Sequence, residues 1–239
     1  MVVHTEILGH LEKMAENGKS LRLLNVFKGI PVSYEAGIRR IDGLLVEFNV
    51  HRYQVLCLEI EKQTIIQESG LPYPIKADVL AVDKFVNTAY LYNFTYASQT
   101  VGLRSSIRVQ PEHPIEVLIT RQNLRMRGML IDISTEGAGM QLTLAAFVYG
   151  ARTLSRGTTI KISLQVPGET AEIQLPGTVS YIVRQKDFYR LGMSARPDLE
   201  AKRILSQFIT QRQAAILREL RLMADVFTRP SDQSNPVTD

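Results

Sequence analysis

The run Thr159–Val166 (TIKISLQV) alternates without a break, Ile160, Ile162, Leu164 and Val166 falling on one side and Lys161, Ser163 and Gln165 on the other. A period of two is the mark of an extended chain with one face in a core and the other in water. Runs of similar character lie at Ile115–Thr120, Leu124–Ile133, Gly139–Leu144, Ala171–Val183 and Phe188–Ala195, with Pro167-Gly168 as a turn. Six antiparallel strands of this kind close a small barrel.

The first part of the chain repeats the theme. Strands are expected at Leu21–Phe27, Leu44–Val50, Tyr53–Ile60, Ile75–Val82 and Phe85–Tyr96, with turn signals at Asp42-Gly43, Ser69-Gly70 and Pro72–Pro74. With no helix expected among them, residues 19–97 read as an antiparallel barrel or sandwich. Ahead of it, Thr5 caps a short helix whose Ile7, Leu8, Leu11, Met14 and Ala15 share a face, and Asn17-Gly18 ends it. A length of 239 residues suggests two domains. The expected division is 1–97 for the first barrel with its leading helix, 98–103 for a connector, 104–196 for the second barrel, 197–228 for a C-terminal helix and 229–239 for a disordered polar tail. The fold class is mainly β, two small barrels in tandem with a helix at each end.

The stretch Val101–Leu144 carries the chemistry. Arg104 and Arg108 stand four residues apart just ahead of Pro111 and Pro114, which makes this an extended lead-in rather than a helix interior. Guanidinium groups are planar forks suited to phosphate oxygens and to the O6/N7 edge of guanine. Some twenty residues on comes Asp132-Ile133-Ser134-Thr135-Glu136-Gly137-Ala138-Gly139. The Asp132 carboxylate only accepts hydrogen bonds, which matches the N1–H and N2–H2 donors of guanine, and Gly137 and Gly139 supply a turn able to take positive φ and to let a ligand approach closely.

Arg-x-x-x-Arg followed by Asp-x-Ser-x-x-Gly resembles the signature of PilZ domains, bacterial receptor modules for cyclic di-GMP, over residues 104–195. The resemblance implies that Arg104 and Arg108 bind phosphates and guanine edges, that Asp132 and Ser134 hold a guanine, and that Gly137 gives it room. Leu103 and Gly139 are accessory positions. Many members carry a basic residue just before the first arginine, where this chain has Leu103; with fewer charges to offset phosphate repulsion, one bound dinucleotide is expected rather than a stacked pair. An N-terminal split barrel ahead of a PilZ domain is the layout of YcgR-like proteins, which this order of elements also resembles. That likeness implies a receptor rather than an enzyme, with no cofactor, whose ligand changes the pose of the two domains and so regulates a protein partner, flagellar motor components among the candidates, at the basal body.

From Pro197-Asp198 a helix is expected over Leu199–Phe227, with Leu205, Phe208, Ile209, Ile216, Leu220, Met223 and Phe227 at helical spacing. At ~1.5 Å per residue it extends about 43 Å. Two readings stay open: a homodimeric coiled coil through Leu199–Phe227, or a helix folded back on its own barrels. Tyr90, Tyr92, Phe94 and Tyr96 alternate on one strand, either as a base-stacking platform or as core; packing is expected, because the opposite face is too mixed to be the sole core face.

Other function classes find less support. His4, His10, His51 and His113 are scattered, with no metal-ligand spacing, nucleophile elbow or phosphate loop. Cys57, the single cysteine, lies in the apolar run Val55–Leu58 and reads as a buried structural thiol. A net charge of +4 falls short of the dense basic face of a nucleic-acid binder. Neither a basic n-region with an apolar stretch nor a window near eighteen apolar residues is present, so a soluble cytoplasmic protein without membrane insertion is expected. The alternatives to a ligand sensor are a nucleic-acid-binding barrel, with steeply salt-dependent affinity for oligonucleotides, and a split-barrel flavin enzyme, which would be yellow.

Overall fold

The computed structural model describes residues 2–97, 106–149 and 154–228. In chain order the elements are α1 (Val2–Glu16), β1 (Ser20–Phe27), β2 (Ile30–Asp42), β3 (Leu45–Asn49), α2 (Arg52–Glu61), β4 (Gln63–Gln67), β5 (Ile75–Asp83), β6 (Thr88–Tyr96), β7 (Glu116–Arg121), β8 (Leu124–Ser134), β9 (Gly137–Thr143), α3 (Leu144–Tyr149), β10 (Thr159–Gln165), β11 (Glu172–Arg184), β12 (Phe188–Ala195) and α4 (Leu199–Thr228). The strands close two antiparallel barrels, in the orders β1-β2-β3-β6-β5-β4 and β10-β11-β12-β9-β8-β7. Contacts divide the described residues into one compact unit of 2–27, 31–97 and 216–228 and a second of 28–30, 106–149 and 154–215. The expected connector at 98–103 and tail at 229–239 lie outside the described residues.

The first unit encloses a core of Leu21, Leu23, Val46, Phe48, Ile66, Ile75, Leu91 and Phe94. Helix α1 adds Ile7, Leu8, Leu11 and Met14 to it. The helix begins at Val2, a turn earlier than a Thr5 cap would allow, while its end is as expected: Lys19 N–H bonds Met14 O at 3.0 Å and Gly18 N–H bonds Ala15 O at 3.0 Å, with Gly18 at φ +61°. This double closure over a left-handed glycine satisfies carbonyls that the helix leaves open.

Residues 53–60 form the helix α2, not the strand expected. A short continuous apolar run such as Val55–Leu58 suits a buried strand or a buried helix equally. Polar partners decide it. Asn25 occupies an inward position on β1, where its Nδ2 donates to Gln63 O and Glu61 Oε2, both at 2.7 Å, and its Oδ1 accepts from Gln54 Nε2 at 2.6 Å and Thr64 Oγ1 at 2.8 Å. A buried amide must have its donors and acceptors met, and a helix is what brings Gln54 and Glu61 to it. Cys57 is buried on α2, and burial, with Glu61 nearby, pushes its thiol up to about 12.

Strand β6 starts at Thr88, later than expected, because Asp83 Oδ1 accepts from Phe85 N–H at 2.9 Å and Val86 N–H at 3.3 Å and so builds a turn. The aromatic row it carries is broken. Asn93 sits at φ +52°, and around it the burial order shifts, so that Ala89, Leu91 and Phe94 are buried while Tyr92 is exposed. Strands β2 and β4 and helix α3 had no counterpart in the sequence reading.

In the second unit Val117, Ile119, Leu130, Ile133, Met140, Leu142, Ile162, Leu164, Leu175, Val179, Leu191 and Met193 are buried. Full burial of each such side chain stabilises by about 1.5–3 kcal/mol. Helix α4 opens on Asp198, whose Oδ1 accepts from Ala201 N–H at 2.8 Å. Ala201, Leu205, Ile209, Arg212, Ile216, Leu220 and Ala224 form its buried face. No helix among the described residues is long and apolar enough to cross a membrane.

His51 caps α2, its Nδ1 accepting from Tyr53 N–H at 3.3 Å, and its ring stacks on Tyr34 at 3.9 Å between centroids. Partial burial first, and the Arg52 charge second, hold its pKa below the ordinary 6.5. A histidine whose folded-state pKa is depressed contributes stability above the unfolded value that is lost as pH falls through the folded one. His51→Asn keeps a capping acceptor without the titration. The thermal midpoint of the wild type should therefore fall more steeply below pH 6.5 than that of His51→Asn; parallel pH profiles from calorimetry would refute the assignment.

Candidate functional site

Strand β8 runs along the second barrel with Met126 and Leu130 buried in its core. Continued at a period of two, this alternation would put Asp132 inside the barrel as well. The ladder prevents it: Leu130 pairs with Met140, but Asp132 pairs with Gly139 and Ile133 with Ala138, so Ile131 is an extra residue. A bulge of this kind re-aims the side chains beyond it, here turning Ile133 into the core and Asp132 to the outer face.

A second shift, between Val179 and Tyr181 on β11, makes Ser180 an extra residue and pairs Tyr181 with Gly192. Since Gly192 pairs in turn with Gly139, the outer face carries a cross-strand row Asp132–Gly139–Gly192–Tyr181. The two central glycines are there for space. A Cβ on Gly139 would lie 2.8 Å from Asp132 Oδ2, and one on Gly192 would lie 2.3 Å from the Tyr181 ring. The row is therefore a shelf with no side chains at its centre, covered by a carboxylate at one end and an aromatic ring at the other.

Val109 places Arg108 at the same face. Val109 is fully buried and forms an isolated antiparallel bridge to Ile133, donating to Ile133 O at 2.9 Å and accepting from Ile133 N–H at 3.0 Å. With these two side chains inward, Arg108 and Asp132 both point outward. Arg108 Nη1 donates to Asp132 Oδ1 at 3.3 Å, and Arg190 Nη2, from β12, donates to Oδ2 at 2.9 Å. The Asp132 side chain is 9% exposed, against 27% for Arg108 and 40% for Arg190. Two guanidiniums on one carboxylate leave a local excess of positive charge. The Arg190 Nε–H is buried and has no acceptor among the described residues. A buried donor left unpaired costs about 1–3 kcal/mol, so an incoming anion or carbonyl oxygen there is favoured.

Ser134 and Gly137 have their own task. Ser134 is buried, its Oγ donating to Gly137 O at 3.2 Å and accepting from Glu136 N–H at 3.3 Å, which fastens the Thr135-Glu136 turn between β8 and β9. A Cβ on Gly137 would meet Met193 O at 2.4 Å. Gly137 and Gly139 are strand residues outside the positive-φ region expected of them; close approach, not backbone freedom, is what calls for glycine. Arg104 and Leu103 lie outside the described residues.

The structure thus brings Arg108 and Asp132 together and adds Arg190 and Tyr181, which the sequence reading did not single out. The signal was present on β12: with Leu191 and Met193 inward, Arg190 and Gly192 face out, and a glycine inside a strand marks a close approach.

Residues 103–211 match the PilZ domain family, and the second barrel falls within this PilZ domain. An uncharacterized protein of Aquifex aeolicus (strain VF5) is 28% identical over 155 residues, covering 63% of this chain and 68% of that one. Among solved structures, YcgR in complex with c-di-GMP from Escherichia coli is 16% identical over 93% of this chain and 94% of its own, with a TM-score of 0.44. The isolated PilZ domain of YcgR with c-di-GMP, also from Escherichia coli, is 22% identical over 52% of this chain and 98% of its own, with a TM-score of 0.37.

Removing the carboxylate should release both arginines. Asp132→Ala is expected to destabilise by about 1–3 kcal/mol, read as a shifted urea midpoint with an unchanged slope. Gly139→Ala should cost a similar amount by pushing the carboxylate off its partners, and the double variant should be no less stable than Asp132→Ala alone, because the obstruction has gone. Additive losses would show that Gly139 does not act through Asp132.

Proposed function

We propose that the chain is a cyclic di-GMP receptor whose site is the outer face of the second barrel around Asp132. The observation that carries this reading is the Arg108–Asp132–Arg190 constellation, built on the glycine shelf inside the stretch that matches the PilZ family.

The chemistry suits the ligand. A carboxylate has about four lone-pair directions on its two oxygens, so Asp132 can keep one arginine on each oxygen and still accept from guanine N1–H and N2–H2. Arg108 and Arg190 present forks to phosphate oxygens or to guanine O6/N7, and the lone Arg190 Nε–H gains an acceptor. The two glycines let the Asp132 carboxylate and the Tyr181 ring lie close on the sheet, where a flat base can meet both. In this reading Arg104 shares the phosphates with Arg108, Ser134 and Gly137 hold the turn beside the guanine, and Leu103 and Gly139 are accessory positions. Neither a cofactor nor a catalytic step belongs to the proposal.

The output we assign is regulation of a protein partner through a changed pose of the two barrels, with flagellar motility as the regulated behaviour and the basal body as the place of action. This part rests on the YcgR-like order of elements. Small-angle scattering with and without ligand tests it, an unchanged profile at saturation arguing for a binding module without that switch.

Calorimetric titration with cyclic di-GMP tests the receptor reading, and an absence of binding would overturn it. Arg108→Ala should weaken binding by about 1.5–3 kcal/mol, or roughly ten- to a hundredfold, and Arg104→Lys should weaken it as well, since a point charge does not reproduce the fork. Asp132→Asn should lose discrimination above all, because it replaces one acceptor with a donor. If that variant preferred cyclic di-GMP over cyclic di-AMP as strongly as the wild type, Asp132 would not read the base.

A further inference from the structure

Arg212 is a charged residue on the buried face of a helix, where its neighbours at helical spacing are Leu205, Ile209 and Ile216. It is only 6% exposed. Burying a guanidinium is costly unless it is hydrogen-bonded, and an apolar residue of similar volume is often as stable or more so. A purely structural account of this position therefore favours an apolar side chain. What the guanidinium does instead is reach the lead-in of the candidate site: Nε donates to Gln110 O at 2.9 Å, and Nη1 lies 3.8 Å from Glu112 Oε2.

Other contacts also hold that lead-in: Val109 is buried in the core, and Gly29 comes so near that a Cβ on it would lie 2.5 Å from Arg108 O. Val109 is held to β8 by an isolated bridge, not by a ladder, and Pro111 has no N–H with which to continue it. Gln110 N–H, on the near side of the proline, donates to Lys28 O at 3.1 Å. Among the hydrogen bonds that locate the segment presenting Arg108 to Asp132 are the two of the bridge and those on Gln110, one of which comes from α4.

We propose that Arg212 is a positioning residue, a strut through which helix α4 sets Arg108 against Asp132, so that ligand occupancy and the packing of residues 199–215 of α4 are linked. Linkage is reciprocal: ligand held by Arg108 tightens α4, and anything that lifts α4 from the barrel lowers ligand affinity. The ligand half of this statement rests on the cyclic di-GMP reading, whereas the strut itself does not.

The test compares the full-length wild type with Arg212→Met, and with Arg212→Lys, which keeps the cation should the first variant fail to fold. Residue-resolved amide exchange in the absence of ligand is the first readout. The strut predicts exchange at Val109 and Ile133 at least about tenfold faster in Arg212→Met, with Ile162 on β10 unchanged and the thermal midpoint held or raised. The second readout is calorimetry with cyclic di-GMP, where affinity should fall about tenfold, equivalent to 1.4 kcal/mol, with Arg212→Lys in between. A folded variant with wild-type exchange at Val109 overturns the strut. Wild-type affinity beside faster exchange overturns the linkage. Failure of the wild type to bind cyclic di-GMP removes the receptor reading, and the exchange result still decides the strut.

Discussion

The second barrel depends on where one extra residue is spent. A carboxylate inside a closed β-barrel would face a low-dielectric core with no partner, a cost of several kcal/mol that a marginally stable domain does not carry. Ile131 removes the conflict by shifting the alternation of β8 one step, so that Asp132 leaves the core and Ile133 enters it. The consequences follow in order: an outward Asp132 needs Gly139 opposite to make room, the outward carboxylate draws Arg190 from β12, and the inward Ile133 provides the bridge on which Val109 aligns Arg108.

Electrostatic balance at this point is uneven by construction. A carboxylate covered by two guanidiniums is nearly removed from water, while the guanidiniums stay partly in it. The negative group is therefore fixed in direction and the positive groups retain hydration that a ligand can replace. Such preorganisation lowers the ordering cost of any donor bound there, because the acceptor is already aimed. It also explains why the turn is braced from inside by the Ser134 hydroxyl rather than left to the loop residues.

Much of this was legible in the sequence, and the failures have physical causes. All six strands of the second barrel were visible because each has one clean apolar face, and α4 showed both its cap at Asp198 and its period. Arg108 and Asp132 were legible as a motif. Their contact was not, because it is set by a bulge, and a bulge at Ile131 leaves no mark in an apolar stretch where every residue from Met129 to Ile131 suits a strand. The first barrel fared worse. Helix α2 hides in a continuous apolar run and is capped by a histidine, a residue outside the usual capping set. Its helical state is dictated by Asn25 and Thr64, tertiary partners in other strands that no local window contains. Tyr90 to Tyr96 misled for a related reason, since the left-handed Asn93 breaks a register that the spelling of the strand keeps intact.

The single thiol of the chain has a bearing on oxidation. Peroxides and disulfides react with thiolate, and a cysteine held near 12 has almost none at neutral pH, besides being buried on α2. With no other cysteine in the sequence, neither sulfenic acid chemistry nor a disulfide between copies has an easy foothold. Oxidation at neutral pH would therefore fall on exposed methionines such as Met129 and Met223 before it reached the thiol.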